Sequence, residues 1–284
     1  MIYLFCDFIN PAKYFDSIEI STTNNLIRNF DPSTSNDDRV YNDNFTVENL
    51  CVKFSGIHTF ALSDVNDSTI QFCEIGWAGG HHTAESGERY GNGIEFWNRA
   101  INVTVANNHI YQCYDAAITH QVNTRKKCIL KDVRYTNNLI DTCVYGIEYF
   151  LDQLDGESES CMENIEMCGN IIRLSGYGWG QQRHNTDTPA LIKGWSYTNT
   201  AKNFTIHHNI FDRCAYRMLH LVAKKQESCP DMHDNIYIQH LGGKIGQYGA
   251  NEIEEPENLS FDEKAEQKIT EVFGDKNAQV YWIR

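Results

Sequence analysis

Two glutamates, a lysine and a histidine occupy one position of a recurring pattern, and residues of those types at that spacing point to proton-transfer chemistry. Each follows an aliphatic residue, in the order Ile94-Glu95, Ile118-Thr119, Ile147-Glu148, Ile192-Lys193 and Leu219-His220. If the aliphatic residues face a core, strand alternation turns Glu95, Thr119, Glu148, Lys193 and His220 outward as one column. A second outward column holds Trp97, Gln121, Phe150 and Trp195. Large aromatics on an outward strand are costly unless something covers them, so ionisable groups beside flat apolar platforms describe a sugar-binding cleft. His120, next to Thr119, is counted among the residues expected to touch a ligand, and Asp115, just before its strand, among those that orient one.

Stacked strands lie about 4.8 Å apart, which places the backbones of Glu95 and Glu148, two strands apart, about 9–10 Å from each other. Side-chain rotamers can bring such carboxyls to the ~6.5–9.5 Å that leaves room for a water in inverting glycoside hydrolysis. One glutamate would protonate the leaving oxygen and the other would activate the water, with Thr119 small enough to leave the gap open. Lys193 or His220 offers a different route, as a base that abstracts a proton beside a uronate carboxylate. That route needs cations to neutralise the carboxylate, for which Lys193, Arg183 and Arg89 are candidates. Trp179, Arg183 and His184 stand in one long Gly- and aromatic-rich insertion between Ser175 and Ala190, and Arg89 in another between Gly79 and Gly93. Such loops are more often walls of a site than linkers. His81, His82 and Glu85 offer ligand types, but adjacent loop histidines seldom bind metal, and no metal or cofactor is assigned.

The elements that position these residues come from an internal repeat. Val105-Ala106-Asn107-Asn108-His109-Ile110, Tyr135-Thr136-Asn137-Asn138-Leu139-Ile140, Met167-Cys168-Gly169-Asn170-Ile171-Ile172 and Ile206-His207-His208-Asn209-Ile210-Phe211 superimpose. Leu50 and Cys73 stand at the Asn position of two degraded earlier copies. Successive spacings are then 23, 35, 30, 32 and 39 residues. The shortest is one bare coil of a parallel β-helix, and the rest are that coil with insertions. Period-two alternation, as in Val103-Thr104-Val105 and Phe204-Thr205-Ile206, with many β-branched and aromatic residues, excludes helical repeats. The expected fold is all-β: a right-handed, single-stranded parallel β-helix over residues 44–249, after a lead-in and partial coil at 1–43 and before a tail at 250–284. In that tail Ser260 or Asp262 caps a helix carrying Phe261, Ala265, Ile269, Val272 and Phe273, which closes the C-terminal end and stops at Gly274.

With 284 residues and a net charge of −14, the chain lacks the basic stripe that nucleic acid wants, and it suits a densely anionic polysaccharide poorly. No stretch is apolar for long enough to span a membrane. Cys113, Cys143 and Cys214 share one position of successive coils, where free thiols stack as small buried hydrophobes, and no CxxC pair occurs. A reducing compartment fits this, or a secreted chain whose leader has been removed, because the N-terminus has no basic segment ahead of its apolar residues. The abrupt start is expected either of the later part of a longer ancestral protein or of a chain whose first coil is covered by a partner, such as a second copy.

Through the repeated Asn turn and the outward-facing strand, the chain resembles the right-handed parallel β-helix superfamily of carbohydrate-active enzymes, the pectate-lyase-like fold. Arg89-Tyr90-Gly91-Asn92-Gly93-Ile94-Glu95-Phe96-Trp97, Tyr114-Asp115-Ala116-Ala117-Ile118-Thr119-His120-Gln121 and Gly178-Trp179-Gly180-Gln181-Gln182-Arg183 are similar to segments of a group of bacterial β-helix proteins described mainly by their repeats. The resemblance implies a polysaccharide or oligosaccharide as ligand. It does not fix the reaction. Asn185-Thr186-Asp187 matches one polygalacturonase motif but none of the others follows it, and the calcium-binding Asp pattern of pectate lyases is absent. The expectation is a glycoside hydrolase using Glu95 and Glu148; a lyase or uronate epimerase using Lys193 or His220 stands second, and a non-catalytic glycan-binding β-helix third.

Overall fold

The computed structural model describes residues 27–28, 42–80, 90–121, 129–151, 161–178, 180, 189–196, 201–251 and 254–283. Apart from one helix, Ala265–Val272, and a short 3-10 turn, the regular elements of these residues are strands. The strands pair in parallel, except where Leu259–Ser260 runs against Lys244–Ala250. The result is a β-helix-like solenoid with two sheets, of fifteen and eight strands.

Phe60–Gln71 and Ile94–Ala106 are long enough to cross two faces of it. On face A, the first half of Ile94–Ala106 pairs with Ala116–Gln121, and the ladder continues through Tyr145–Leu151, Ala190–Ser196, Arg217–Ala223 and Lys244–Ala250. On face B its second half pairs with Ile129–Thr136, then come Cys161–Cys168, Ala201–His207 and Asp231–His233. Face C is the eight-stranded sheet, and its last strand, Gln279–Ile283, carries the stacking well past residue 249.

The corner between faces B and C explains the repeated Asn. Its predecessor adopts left-handed backbone at Asn107, Asn137, Gly169, His208 and Asp234 (φ between 54° and 67°), a conformation that Gly, Asn and Asp tolerate best. The Asn itself is buried and reaches across coils: Asn138 Oδ1 accepts from the backbone N–H and side-chain amide of Asn108, at 3.0 Å each. The same bonds join Asn138 to Asn170, Asn170 to Asn209 and Asn209 to Asn235, and the chain of amides ends on Asp275. Cys73, at the degraded position, still donates its N–H to Asn108 Oδ1. Buried backbone groups that a corner would leave unpaired are thus satisfied turn by turn.

Inside, one continuous core includes the aliphatic row Ile94, Ile118, Ile147, Ile192 and Leu219. Each fully buried aliphatic contributes about 1.5–3 kcal/mol. All described cysteines are free, and Cys113, Cys143 and Cys214 are buried. The helix starts later than the sequence suggests: Asp262 Oδ1 accepts the backbone N–H of Lys264, ahead of the first turn. Phe261, Ala265, Ile269 and Phe273 are buried against the core, Val272 is exposed, and Gly274 (φ 65°) follows. Among the described residues no helix is long and apolar enough to cross a membrane.

Candidate active site

The ionisable residues of face A do form one ladder. Glu95 pairs with Thr119, Thr119 with Glu148, Glu148 with Lys193 and Lys193 with His220, and the row extends to Gln247. Because the residue before each of the five lies in the core, these side chains leave the strand on the side away from it. A one-residue slip would have placed both glutamates in the apolar interior.

One expectation is sharpened and one corrected. The outward column is deeply covered: Glu95, Thr119, Glu148 and Lys193 are at most 4% exposed, and only His220 is half-buried. Asn92 and His58 lie against Glu95, and Thr119 and Trp195 against Glu148. His120, in turn, sits in register between Phe96 and Tyr149, two core residues, so its ring faces the interior and cannot touch a ligand on the outer face. Burial drives its pKa down to about 4, opposed by the Asn98 backbone.

Two groups hold Glu95. Asn92 Nδ2 donates to Oε1 at 3.0 Å. His58, just ahead of Phe60–Gln71, supplies the second contact. Its Nδ1 accepts the Asn92 backbone N–H, so the neutral ring carries its proton on Nε2, and that nitrogen lies 3.2 Å from Glu95 Oε2, which makes no hydrogen bond. Burial nevertheless pushes the Glu95 pKa up to about 8, and the charges of Asp115 and Glu148 add to the rise while Trp97 and Asn92 oppose it. Glu95 therefore keeps its proton near neutral pH. Asp115 is buried and acts on Glu95 through its charge.

Glu148 differs. Both of its oxygens accept hydrogen bonds, Oε2 from Thr119 Oγ1 at 2.8 Å and Oε1 from Trp195 Nε1 at 2.6 Å. Lys193 Nζ lies 3.9 Å from the centre of the Trp195 ring, a cation–π contact, and its strand position is in register with Glu148. His220 is kept neutral: burial lowers its pKa to about 3, and the positive charges of Lys193 and Arg217 add to that. Arg217 Nη1 bonds Gln247 Oε1, and Gln247 Nε2 reaches Glu255 and Pro256.

The aromatic row is present and half-buried. Trp97 pairs with Gln121 and Phe150 with Trp195, the last two rings stacked at 6.0 Å and 20°. Trp179, Arg183, His184 and Arg89 lie outside the described residues, as do His81, His82, Glu85 and the Asn185-Thr186-Asp187 motif. Sequence reasoning missed His58 and Asn92, the two groups that hold Glu95. Asn92 stood three residues before it, but His58 belongs to the preceding coil, 34 residues from Asn92, and carries no local signal.

The arrangement can hold one protonated and one acceptor carboxyl on a single face, flanked by a cation and aromatic rings. No protein-family model matches this chain, and no curated protein and no solved structure matches it either.

Proposed function

We propose that this chain is a right-handed parallel β-helix of the carbohydrate-active kind and that it hydrolyses a glycosidic bond in a neutral or weakly charged glycan, with inversion. Glu95 is the general acid and Glu148 the base that activates water. The observation that carries this reading is the contrast between the two carboxyls. One retains its proton to a pH of about 8, and the other accepts hydrogen bonds at both oxygens, two strands away on the same outward ladder. A carboxyl that keeps its proton, beside one that accepts hydrogen bonds at both oxygens, is the arrangement that acid–base division of labour requires. At about 9–10 Å between backbones, the side chains can reach the ~6.5–9.5 Å of an inverting pair. Trp97, Phe150 and Trp195 offer sugar platforms on the same outward face as the two carboxyls.

The lyase or epimerase reading is weaker, because an imidazole whose pKa has fallen to about 3 is a poor base. One observation favours a non-catalytic glycan-binding solenoid instead: the shielding of Glu95 and Glu148. Release of reducing ends from a panel of neutral and uronate polysaccharides, with the anomer of the first product followed by NMR, separates these readings. Hydrolysis predicts new reducing ends of inverted configuration and no unsaturated uronate. Glu95→Gln and Glu148→Gln should each lower turnover by ~10²–10⁴-fold with the fold retained. Affinity without turnover would establish the binding module, and near-normal activity in both variants would remove these residues from the chemistry.

A further inference from the structure

Away from face A, the corner between faces B and C changes character along the solenoid. Its ladder reads Thr136, Cys168, His207, His233, and the adjacent left-handed position reads Asn137, Gly169, His208, Asp234. Earlier turns carry Ala106 and Asn107 there, which cannot act as metal ligands of this kind. The later turns bring a thiol and three imidazoles together.

We propose that this corner binds a single first-row divalent transition-metal ion, zinc by its ligand set, through Cys168 Sγ, His207 Nδ1 and His208 Nδ1. One ligand atom from each of the three residues lies within 4.8 Å of the others. His207 Nδ1 and His208 Nδ1 are 2.9 Å apart, within hydrogen-bond distance of each other. Tetrahedral zinc, with Zn–N of about 2.0–2.1 Å and Zn–S of about 2.3 Å, separates its ligand atoms by about 3.3–3.8 Å, so rotamer adjustments of about 1 Å complete the site.

The other nitrogen of His207 supplies a second, independent sign. Its Nε2 lies 3.2 Å from Glu166 Oε1, and Arg134 holds the opposite oxygen of Glu166 at 3.5 Å. A metal-binding imidazole generally donates its outer N–H to a carboxylate, which fixes the tautomer and leaves the inner lone pair for the ion. His207 is already set that way. His208 then donates its Nδ1 proton to His207, and on metal binding this proton moves to the Nε2 of its exposed ring. Cys168 gives up its thiol proton to bulk water, so one proton is released per ion. His208 is exposed and Cys168 and His207 are half-buried, which leaves the ion a route in and a fourth position for water.

His233 and Asp234 form an overlapping group with His208, but they are committed elsewhere. Asp234 Oδ2 takes His233 Nδ1 at 2.8 Å and its Oδ1 takes Asn277 Nδ2 at 3.0 Å. The His233 ring stacks on His207 at 4.6 Å and 12°, as a wall of the site.

Zinc titrated calorimetrically into the chelator-stripped full chain tests this directly, with cobalt as a spectroscopic substitute. The proposal predicts one tight equivalent, micromolar or better by order of magnitude, and a thiolate-to-cobalt charge-transfer band. Cys168→Ala should abolish that band, and His207→Ala and His208→Ala should each weaken zinc by about 100-fold or more. Glu166→Gln should cost about 10–100-fold. His233→Gln and Asp234→Asn should leave affinity within a few-fold. Binding no tighter than that of a generic surface histidine, no charge-transfer band, or loss of affinity in Asp234→Asn but not in Cys168→Ala would each overturn the assignment. The cobalt spectrum is read on the unaltered protein, so a variant that failed to fold would not protect the proposal.

Discussion

The solenoid carries two buried polar ladders, and they are built on opposite principles. At the B–C corner the same residue recurs, Asn108, Asn138, Asn170, Asn209 and Asn235, with each amide bonded to its neighbours above and below. On face A no residue type serves two adjacent coils: Glu95, Thr119, Glu148, Lys193 and His220 are of four different types, and two of them, Glu95 and His220, have displaced pKa values. A ladder of identical neutral amides satisfies itself and adds to stability. A mixed ladder of buried ionisable groups opposes it, since burial penalises charge. Structure accounts for the first ladder, and the proposed acid–base chemistry would account for the second.

Breaking the amide ladder should have the largest effect. Asn170→Ala removes the acceptor for the Asn138 backbone N–H and side-chain amide and the donor to Tyr135 O and Asn209. Several buried groups then lose partners at about 1–3 kcal/mol each, for a loss of about 3–5 kcal/mol in urea unfolding followed by circular dichroism.

Neutralising Glu95 should do the reverse at alkaline pH. Its folded pKa of about 8 lies above its ordinary value of 4.5, so between those values the folded chain binds more protons than the unfolded one. Its contribution is complete below about pH 4.5 and is lost as pH rises through about 8. Glu95→Gln should abolish that decline and be more stable than the natural chain above pH 8, by an amount of order a few kcal/mol. Unfolding midpoints measured from pH 5 to 9 give the slope, and a parallel decline in the variant would refute the assignment.

Much of this contrast was legible in the amino-acid order. The Asn spacing set the register, even at Leu50 and Cys73, and alternation from Ile94, Ile118 and Ile147 placed both glutamates outward. The same alternation, carried one residue past Thr119, sends His120 inward beside Phe96 and Tyr149. The shielding of the column was not legible, because it depends on His58 and Trp195 crossing between coils, and no local pattern encodes such a contact. Cys168 and His207-His208 were visible as turn residues; it takes the coil-to-coil register to make them neighbours.

Trp195→Phe sharpens the comparison at an intermediate scale. It keeps the ring stacked on Phe150 but deletes the indole N–H donated to Glu148 Oε1. The expected cost is about 1–3 kcal/mol, since a buried acceptor loses a partner, and turnover should fall with it. At neutral pH the smallest effect belongs to His220. Its folded pKa of about 3 lies below its ordinary 6.5, so the natural chain loses stability as pH falls from about 6.5 toward 3, where the unfolded chain takes up the proton first. His220→Gln should match the natural chain at pH 7 and resist acid better, by about 2–3 kcal/mol at pH 4.5, and thermal melts at pH 7 and 4.5 read that difference.

The claim that Glu95 is a proton donor at working pH is tested most directly by titrating that one carboxyl. Carboxyl carbon-13 NMR of glutamate-labelled protein, with the Glu95→Gln variant identifying the resonance, gives its midpoint without any substrate. The account predicts half-titration near pH 8. A midpoint in the ordinary carboxylate range, near 4.5, would leave Glu95 ionised at neutral pH and contradict its role as the acid.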